Sequence, residues 1–408
     1  MRDREFDLIV FGATGFTGRL VAEYLHLSGA AGARWAIAGR SLDKLGQVRD
    51  ELHLPPSVAL LKADATDAAS LQRLVARTRC VITTVGPYQL HGEALATACA
   101  EGGTDYVDLC GEPLWMARMI PKLTPLAEHS GARLVFSCGF DSIPFDLGVV
   151  YLQAEAERRF GAPLPEVRGR VARMKGKASG GTLASMMETI AAVKREPALS
   201  KLMANPFALT PGFKGPRQPA DHGADFDDWA GAWTGPFLMA TINTKNVHRS
   251  NALRGHPWGT GFVYSEKLLT GKPGQGDQGR RKAFALARFK KVQNLALAFG
   301  PTRFLLRRFV LTQPGDGPDK AAREAGHYTL WFTGKSAGGE TLRAIVKGDR
   351  DPGYGSTCKL ISEAALCLVQ DVSREGTPGG VWTPGSAMGL ALVRRLQARA
   401  GLSFEMAA

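Results

Sequence analysis

Paired metal-ligand spacings are missing from this chain. Its six cysteines (Cys80, Cys99, Cys110, Cys138, Cys358 and Cys367) form no C-x-x-C, and its eight histidines form neither H-E-x-x-H nor H-x-x-x-H. Metal catalysis is therefore disfavoured, and the thiols read as buried and free. No apolar run approaches the roughly 18 residues that a bilayer-spanning helix needs. The opening Met1-Arg-Asp-Arg-Glu-Phe-Asp7 is charged and runs straight into a strand, which leaves no room for a signal peptide. A cytoplasmic protein is expected. Acidic residues are also scarce: 38 Asp and Glu stand against 51 Lys and Arg, a formal charge of +13. Such an excess implies an anionic partner: a phosphorylated cofactor, an acyl-carrier protein, nucleic acid or an anionic membrane surface. With 408 residues, 44% of them hydrophobic and 22% charged, the chain has the composition of a globular protein and the length for two domains.

What is present is organised around Gly12-Ala-Thr-Gly-Phe-Thr-Gly18. An apolar strand, residues 6–11, precedes it and a helical pattern, residues 19–25, follows. Three glycines at such a strand-to-helix turn suit a dinucleotide pyrophosphate. Gly12 allows the sharp turn, Gly15 lets the backbone approach the phosphates, and Gly18 lets the helix pack on the strand. Thr14, Phe16 and Thr17 complete the candidate loop. A purely structural glycine turn is the alternative.

Strand patterns follow at residues 34–38, 58–62, 80–84, 104–109 and 133–137, with helical segments between them. The reading is an α/β fold with a parallel sheet covered on both faces, whose ligand lies at the carboxyl ends of the strands. After the second strand, Ala38-Gly-Arg-Ser-Leu-Asp-Lys44 places Arg40 where an NAD site would carry an acid. Arg40, with Ser41 and Lys44, can pair with a 2′-phosphate, which selects NADPH; a solvated helix start is the other reading. After the third strand, Asp64 is a candidate neighbour of the adenine and Asp67 a helix cap. The fourth ends in Thr83-Thr-Val-Gly-Pro-Tyr-Gln-Leu-His91, so Val85, Gly86 and Pro87 are expected to border the nicotinamide ribose. Tyr88, or else His91, can then point at the substrate; a ring packed over the loop is the equal alternative for Tyr88. Asp108, Glu112, Asp141 and Ser142 lie on the same rim. Asp141 and Ser142 have a plainer alternative, capping the helix that Pro144 opens.

The set GATGFTG, AGRSLDKL, TTVGPYQLHGEALATAC, GTDYVDLCGE, CGFDSIPFDLG, SGGT, DPGYGST and GGVWTPGSAMG resembles the saccharopine dehydrogenase-like oxidoreductase family, and within it the trans-acting enoyl reductase branch. The resemblance covers nearly the whole chain. It implies a Rossmann-type NADP-binding domain over 1–140, an α+β substrate domain over 141–354, and C-terminal helices over 355–408 that pack back on the first domain. It leaves the acceptor open.

In the second half, residues 167–174 read as a strand and 179–194 as a helix whose start can receive an oxyanion; a tightly packed glycine helix start is the alternative. Residues 327–333 and 342–347 read as an antiparallel hairpin. Trp229, Trp233, Phe237 and Trp258 can line a pocket or fill a core. Residues 280–308 hold nine Lys or Arg and no acid, with Ala285, Phe289, Val292, Ala296 and Phe299 at helical spacing. Together with the apolar run 304–311, this segment fits peripheral contact with an anionic membrane or an acidic carrier, or a helix docked on the core with a basic outer face.

These readings converge on an NADPH-dependent reductase of an enoyl or related double bond in a lipid-like or carrier-bound acyl substrate. Tyr88 and Ser142 are the candidate catalytic donors, beside the 179–182 helix start and water, since no Tyr-x-x-x-Lys pair appears. A non-catalytic nucleotide-binding protein at a lipid surface is the rival, and saccharopine-type imine chemistry a further alternative that lacks carboxylate-binding arginines at the rim. Nucleic acid is not expected, because the basic residues have no interleaved aromatics. A homodimer is left open.

Overall fold

Alternation along the first strand shows how the core divides. In the computed structural model, which describes residues 4–176, 179–298 and 317–407 with the side chains of 294–298 excepted, β1 (Phe6–Phe11) sends Leu8 and Val10 into one apolar cluster and Ile9 and Phe11 into another. Burial on both faces is what a helix-covered parallel sheet imposes. β2 (Trp35–Gly39), β3 (Ala59–Lys62), β4 (Thr78–Thr83), β5 (Asp105–Val107) and β6 (Arg133–Val135) join β1 in parallel register. A late strand, β13 (Gly380–Trp382), extends the sheet beside β6. The order β13-β6-β5-β4-β1-β2-β3 is doubly wound, with its switch point between β1 and β4.

Helices α1 (Phe16–Leu27) and α2 (Leu42–Glu51) cover one face, while α3 (Ala68–Val75), α5 (Glu93–Gly102) and α6 (Pro113–Ser130) cover the other. A single helical turn, α4 (Tyr88–His91), precedes α5. Asp67 caps α3 by accepting the amides of Ala69 and Ser70.

A second sheet is built from β7 (Glu166–Lys175), β8 (Asp225–Asp227), β9 (Ala232–Pro236), β10 (Val263–Leu269), β11 (His327–Lys335), β12 (Thr341–Gly348) and β14 (Leu402–Met406), in the order β14-β12-β11-β7-β10-β9-β8. All its pairings are antiparallel except β7 with β10, and β11 with β12 forms the expected hairpin. α7 (Ile143–Phe160) packs on this sheet at Gly148, where an added Cβ would lie 2.2 Å from the Phe332 ring. Around it stand α8 (Gly180–Arg195), α9 (Leu199–Ala204), α10 (Ala240–Leu253), α11 (Gly276–Ala298) and α12 (Lys320–Glu324).

The C-terminal segment serves both sheets. In α13 (Thr357–Gln370), Glu363 accepts the Tyr24 hydroxyl of α1 at 2.6 Å, and the Leu368 carbonyl accepts from Arg133. α14 (Pro384–Ala387) and α15 (Gly389–Arg399) lead to β14, with Arg395 of α15 paired to Glu363. The expectation of helices alone after residue 355 is thus incomplete, since β13 and β14 also lie there.

Three further expectations change. The fifth and sixth strands stop at Val107 and Val135, because Asp108 turns inward to accept the amides of Cys110 and Ser137. Phe237 and Trp258 are core side chains, packed on Phe145 and Phe262, not a pocket lining. The basic amphipathic segment is helical as α11 up to residue 298; Phe299 and the run 304–311 lie outside the described residues, as does the side chain of Ala296.

Candidate functional site

At the switch point, α1 starts without a side-chain cap. Gly15 occupies the N-cap position in extended conformation and no side chain accepts from the amides of Phe16, Thr17 and Gly18 among the described residues, so these amides form an anion-binding end. Gly12 holds φ +90°, and a Cβ there would lie 2.6 Å from Val85. A Cβ on Gly18 would meet the Gly12 carbonyl oxygen at 2.2 Å, whereas one on Gly15 would meet only its own loop at 3.4 Å. Gly12 and Gly18 are therefore required by packing, and Gly15 faces open space that a pyrophosphate can fill. Thr14 and Thr17 are half-exposed beside it. Phe16 turns its ring away to the second sheet's side, edge-on to Tyr354 at 4.8 Å and under Arg323. Its amide, not its ring, is what it can offer a phosphate.

Arg40 follows β2, exposed and with no ion pair among the described residues. Asp64 lies close enough to feel its charge. Hydrogen bonds from the amide and hydroxyl of Thr66 hold the Asp64 carboxyl below its ordinary range, with Arg40 adding to the effect. Ser41 caps α2 by accepting the Lys44 amide, which leaves its O–H proton available. An open glycine cradle, uncapped amides and an unpaired guanidinium beyond the second strand fit a dinucleotide with a 2′-phosphate.

Across the switch point, Val85 borders the glycine loop, and the turn Val85-Gly86-Pro87 contains a cis Gly86–Pro87 bond. Buried Glu112 fixes this turn. Its carboxylate accepts the amides of Tyr88 at 2.8 Å and Gln89 at 2.9 Å, and the Ser185 hydroxyl of α8 at 2.6 Å. Tyr88 is buried. Its hydroxyl donates to the Thr83 carbonyl and accepts the Leu109 amide, and burial pushes its pKa well up. Ser142 is equally committed: it donates to Asn243 and accepts from Asn246, both on α10. It stands at the N-cap of α7 without capping it. Both candidate donors thus hold the protein's own groups instead of facing the crevice. His91 is exposed and lines a surface cleft of about 430 Å³ with Thr66, Leu90 and Lys122.

α8 forms the opposite wall. Ser179 caps it, accepting the Thr182 amide, and the Gly180 amide donates to Tyr354, which among the described residues leaves Gly181 as the open donor of its first turn. From Thr182 to Ala191 every residue is half-exposed, including Leu183, Met186, Met187 and Ile190. Of the residues of this helix only Ala192 is buried, so its apolar side chains stay partly open to solvent instead of filling a core.

Sequence reasoning missed α10. Its sequence, ATINTKNVHRSNAL, is mostly polar, yet Asn243, Lys245, Asn246, His248, Arg249 and Ser250 are all buried. Asn243 donates to Glu266, which also accepts the Tyr264 hydroxyl, and burial pushes the Glu266 carboxyl up to about 8. Among the described residues no group of acids, histidines and cysteines can hold a metal, and no helix is long and apolar enough to cross a membrane.

Residues 8–135 match the saccharopine dehydrogenase NADP binding domain family. Over 419 residues the chain is 38% identical to a candidate trans-acting enoyl reductase of Mycobacterium tuberculosis, covering 98% of this chain and 97% of that one. It is 36% identical over 412 residues to the trans-acting enoyl reductase of Mycobacterium bovis, covering 97% and 96%. Among solved structures, apo saccharopine dehydrogenase (L-Glu forming) of Saccharomyces cerevisiae aligns with a TM-score of 0.53 at 12% identity, covering 99% of this chain and all of that one, a likeness of fold.

Proposed function

This chain belongs to the saccharopine dehydrogenase-like oxidoreductase family that includes the trans-acting enoyl reductases, and from that premise we propose that it reduces the double bond of an α,β-unsaturated acyl thioester. It is an NADPH-dependent oxidoreductase. The observation that carries the acceptor reading is α8, whose half-exposed Leu183, Met186, Met187 and Ile190 offer an apolar wall beside the rim, suited to an acyl chain.

In this reading the amides of Phe16, Thr17 and Gly18 hold the pyrophosphate, Arg40 and Ser41 the 2′-phosphate, Asp64 borders the adenine, and Val85 to Pro87 support the nicotinamide ribose. When bound, NADPH supplies the hydride. The chain's part is to orient the acyl group along α8, to exclude water from the rim, and to offer the Gly181 amide to the thioester oxygen as it gains charge. Residues 1–140 then bind nucleotide, 141–354 bind acceptor, and the helices of 355–408 fix the two together.

α11 supports peripheral contact with an anionic membrane. Phe284, Phe289 and Val292 are 43, 63 and 64% exposed, and Arg281, Lys282, Arg288 and Lys291 accompany them. An acyl substrate dissolved in a bilayer would be met there.

The test is consumption of NADPH with a panel of 2-enoyl thioesters and their saturated counterparts. Consumption confined to the enoyl compounds supports the reading; none with any chain length removes it.

A further inference from the structure

Resting on the acceptor reading above, the position of one carboxyl assigns a step that neither Tyr88 nor Ser142 can take. We propose that the Asp141 carboxyl is the acid that protonates the α-carbon of the reduced acyl group.

Asp141 lies in the turn between β6 and α7. In a sheet of this order the nicotinamide half of a dinucleotide lies over β4, β5 and β6, so this turn flanks the place where the acceptor carbon must be. The turn is rigid. The Phe140 amide donates to Thr357, and a Cβ on Gly139 would meet Leu109 at 3.0 Å.

The other acids of the rim are fully engaged. Asp108 accepts the Cys110 and Ser137 amides and the Tyr106 hydroxyl; Glu112 accepts two amides and a hydroxyl; Asp146 accepts the Ser250 hydroxyl and the Gly385 amide. Among the described residues Asp141 accepts only the Thr182 hydroxyl, at 3.4 Å, the weakest of these contacts. It is half-exposed, beside the first turn of α8. It is therefore the rim carboxyl with lone pairs and a proton to offer a ligand.

Among the described residues the titratable groups on the elements around it are Tyr354, whose hydroxyl accepts the Gly180 amide, and Asp146, turned to α10 and α14. No cation pairs with Asp141 among the described residues. Burial raises its carboxyl to about 6, against the Thr182 hydrogen bond that lowers it, so a protonated fraction exists near neutrality.

The electron count closes. The hydride forms the new C–H bond at the β-carbon while the double-bond pair shifts to the thioester oxygen as an enolate. That pair then returns to take the Asp141 proton at the α-carbon. NADPH is oxidised, the acyl group is reduced, and water reprotonates the carboxylate.

Asp141→Asn and Thr182→Val, beside the wild type, test this. In the wild type kcat should fall on an alkaline limb. Asp141→Asn should lower kcat about a hundredfold or more and abolish the limb, with NADPH affinity unchanged. Thr182→Val should move the limb to higher pH, because it removes the bond that favours the carboxylate. In the cofactor-free chain, the wild type should lose melting temperature relative to Asp141→Asn as pH rises through about 6, since the native state holds the proton more tightly. A kcat for Asp141→Asn within about twofold of wild type, or a limb unmoved in Thr182→Val, overturns the assignment of the acid and leaves the acceptor reading standing. Absence of any wild-type turnover with enoyl thioesters overturns both, and melting curves that do not diverge overturn the acid alone.

Discussion

The first turn of α1 touches the loop before it so closely that a Cβ on Gly18 would lie 2.2 Å from the carbonyl oxygen of Gly12. That contact sets the height of the helix end above β1, and with it the position of the amides that meet a phosphate.

Two alanine substitutions should therefore separate packing from binding. Gly18→Ala pushes helix against strand and should lower thermal stability by several degrees along with NADPH affinity, at a cost of about 1–3 kcal/mol. Gly15→Ala has room for its methyl and should leave the melting temperature nearly unchanged while weakening NADPH. Equal destabilisation by both would contradict this division.

Arg40→Ala should erase the preference for NADPH over NADH. A lost charge-assisted contact is worth about 1.5–3 kcal/mol, or roughly ten- to hundredfold in affinity. Fluorescence titration of each nucleotide reads it. NADH affinity should hardly move.

Much of this was legible in the sequence where the chemistry is local. Six of the seven strands of the first sheet, the turn at Gly12 and the close packing at Gly18, the Asp67 cap and the late hairpin follow from burial periodicity and turn chemistry. Which of their alternative roles Tyr88 and Ser142 take did not, because it depends on distant partners: Leu109 lies 21 residues from Tyr88, and Asn243 and Asn246 lie 101 and 104 residues from Ser142. α10 was illegible for a related reason. Several of its buried polar residues find partners on other elements, among them Glu266, Asp146, Leu209 and Val381.

Glu266 makes stability depend on pH. Burial raises its carboxyl to about 8, with Asp221 pushing the same way and Asn243, Tyr264 and Arg170 opposing. A raised carboxyl stabilises the native state below the unfolded pKa, and that contribution is lost as pH climbs through the folded value. Wild type should thus lose melting temperature relative to Glu266→Gln between pH about 5 and about 8. A constant difference across that window would contradict the protonated, buried Glu266.

Arg395 and Glu363 form a buried ion pair that ties α15 to α13, and Tyr24 shares the carboxylate. Arg395→Ala leaves Glu363 buried without its cation, at about 3–5 kcal/mol. The urea midpoint should fall accordingly. A shift below about 1 kcal/mol would show that the C-terminal helices do not depend on this pair.

The exposed apolar residues of α11 should carry membrane contact. Phe289→Glu with Val292→Glu should abolish flotation with vesicles rich in anionic phospholipid, while NADPH binding and melting temperature stay as in the wild type, because both side chains face solvent. Flotation unchanged in the double variant, or absent in the wild type at low salt, would remove the membrane as partner.

The most direct measurement uses NADPH carrying deuterium at C4 of the nicotinamide, a 2-enoyl thioester and ordinary water. The expected product is the saturated thioester with deuterium at the β-carbon and a solvent-derived proton at the α-carbon. Deuterium elsewhere, or recovery of unreacted enoyl thioester with NADPH intact, would contradict hydride transfer to a conjugated acyl double bond.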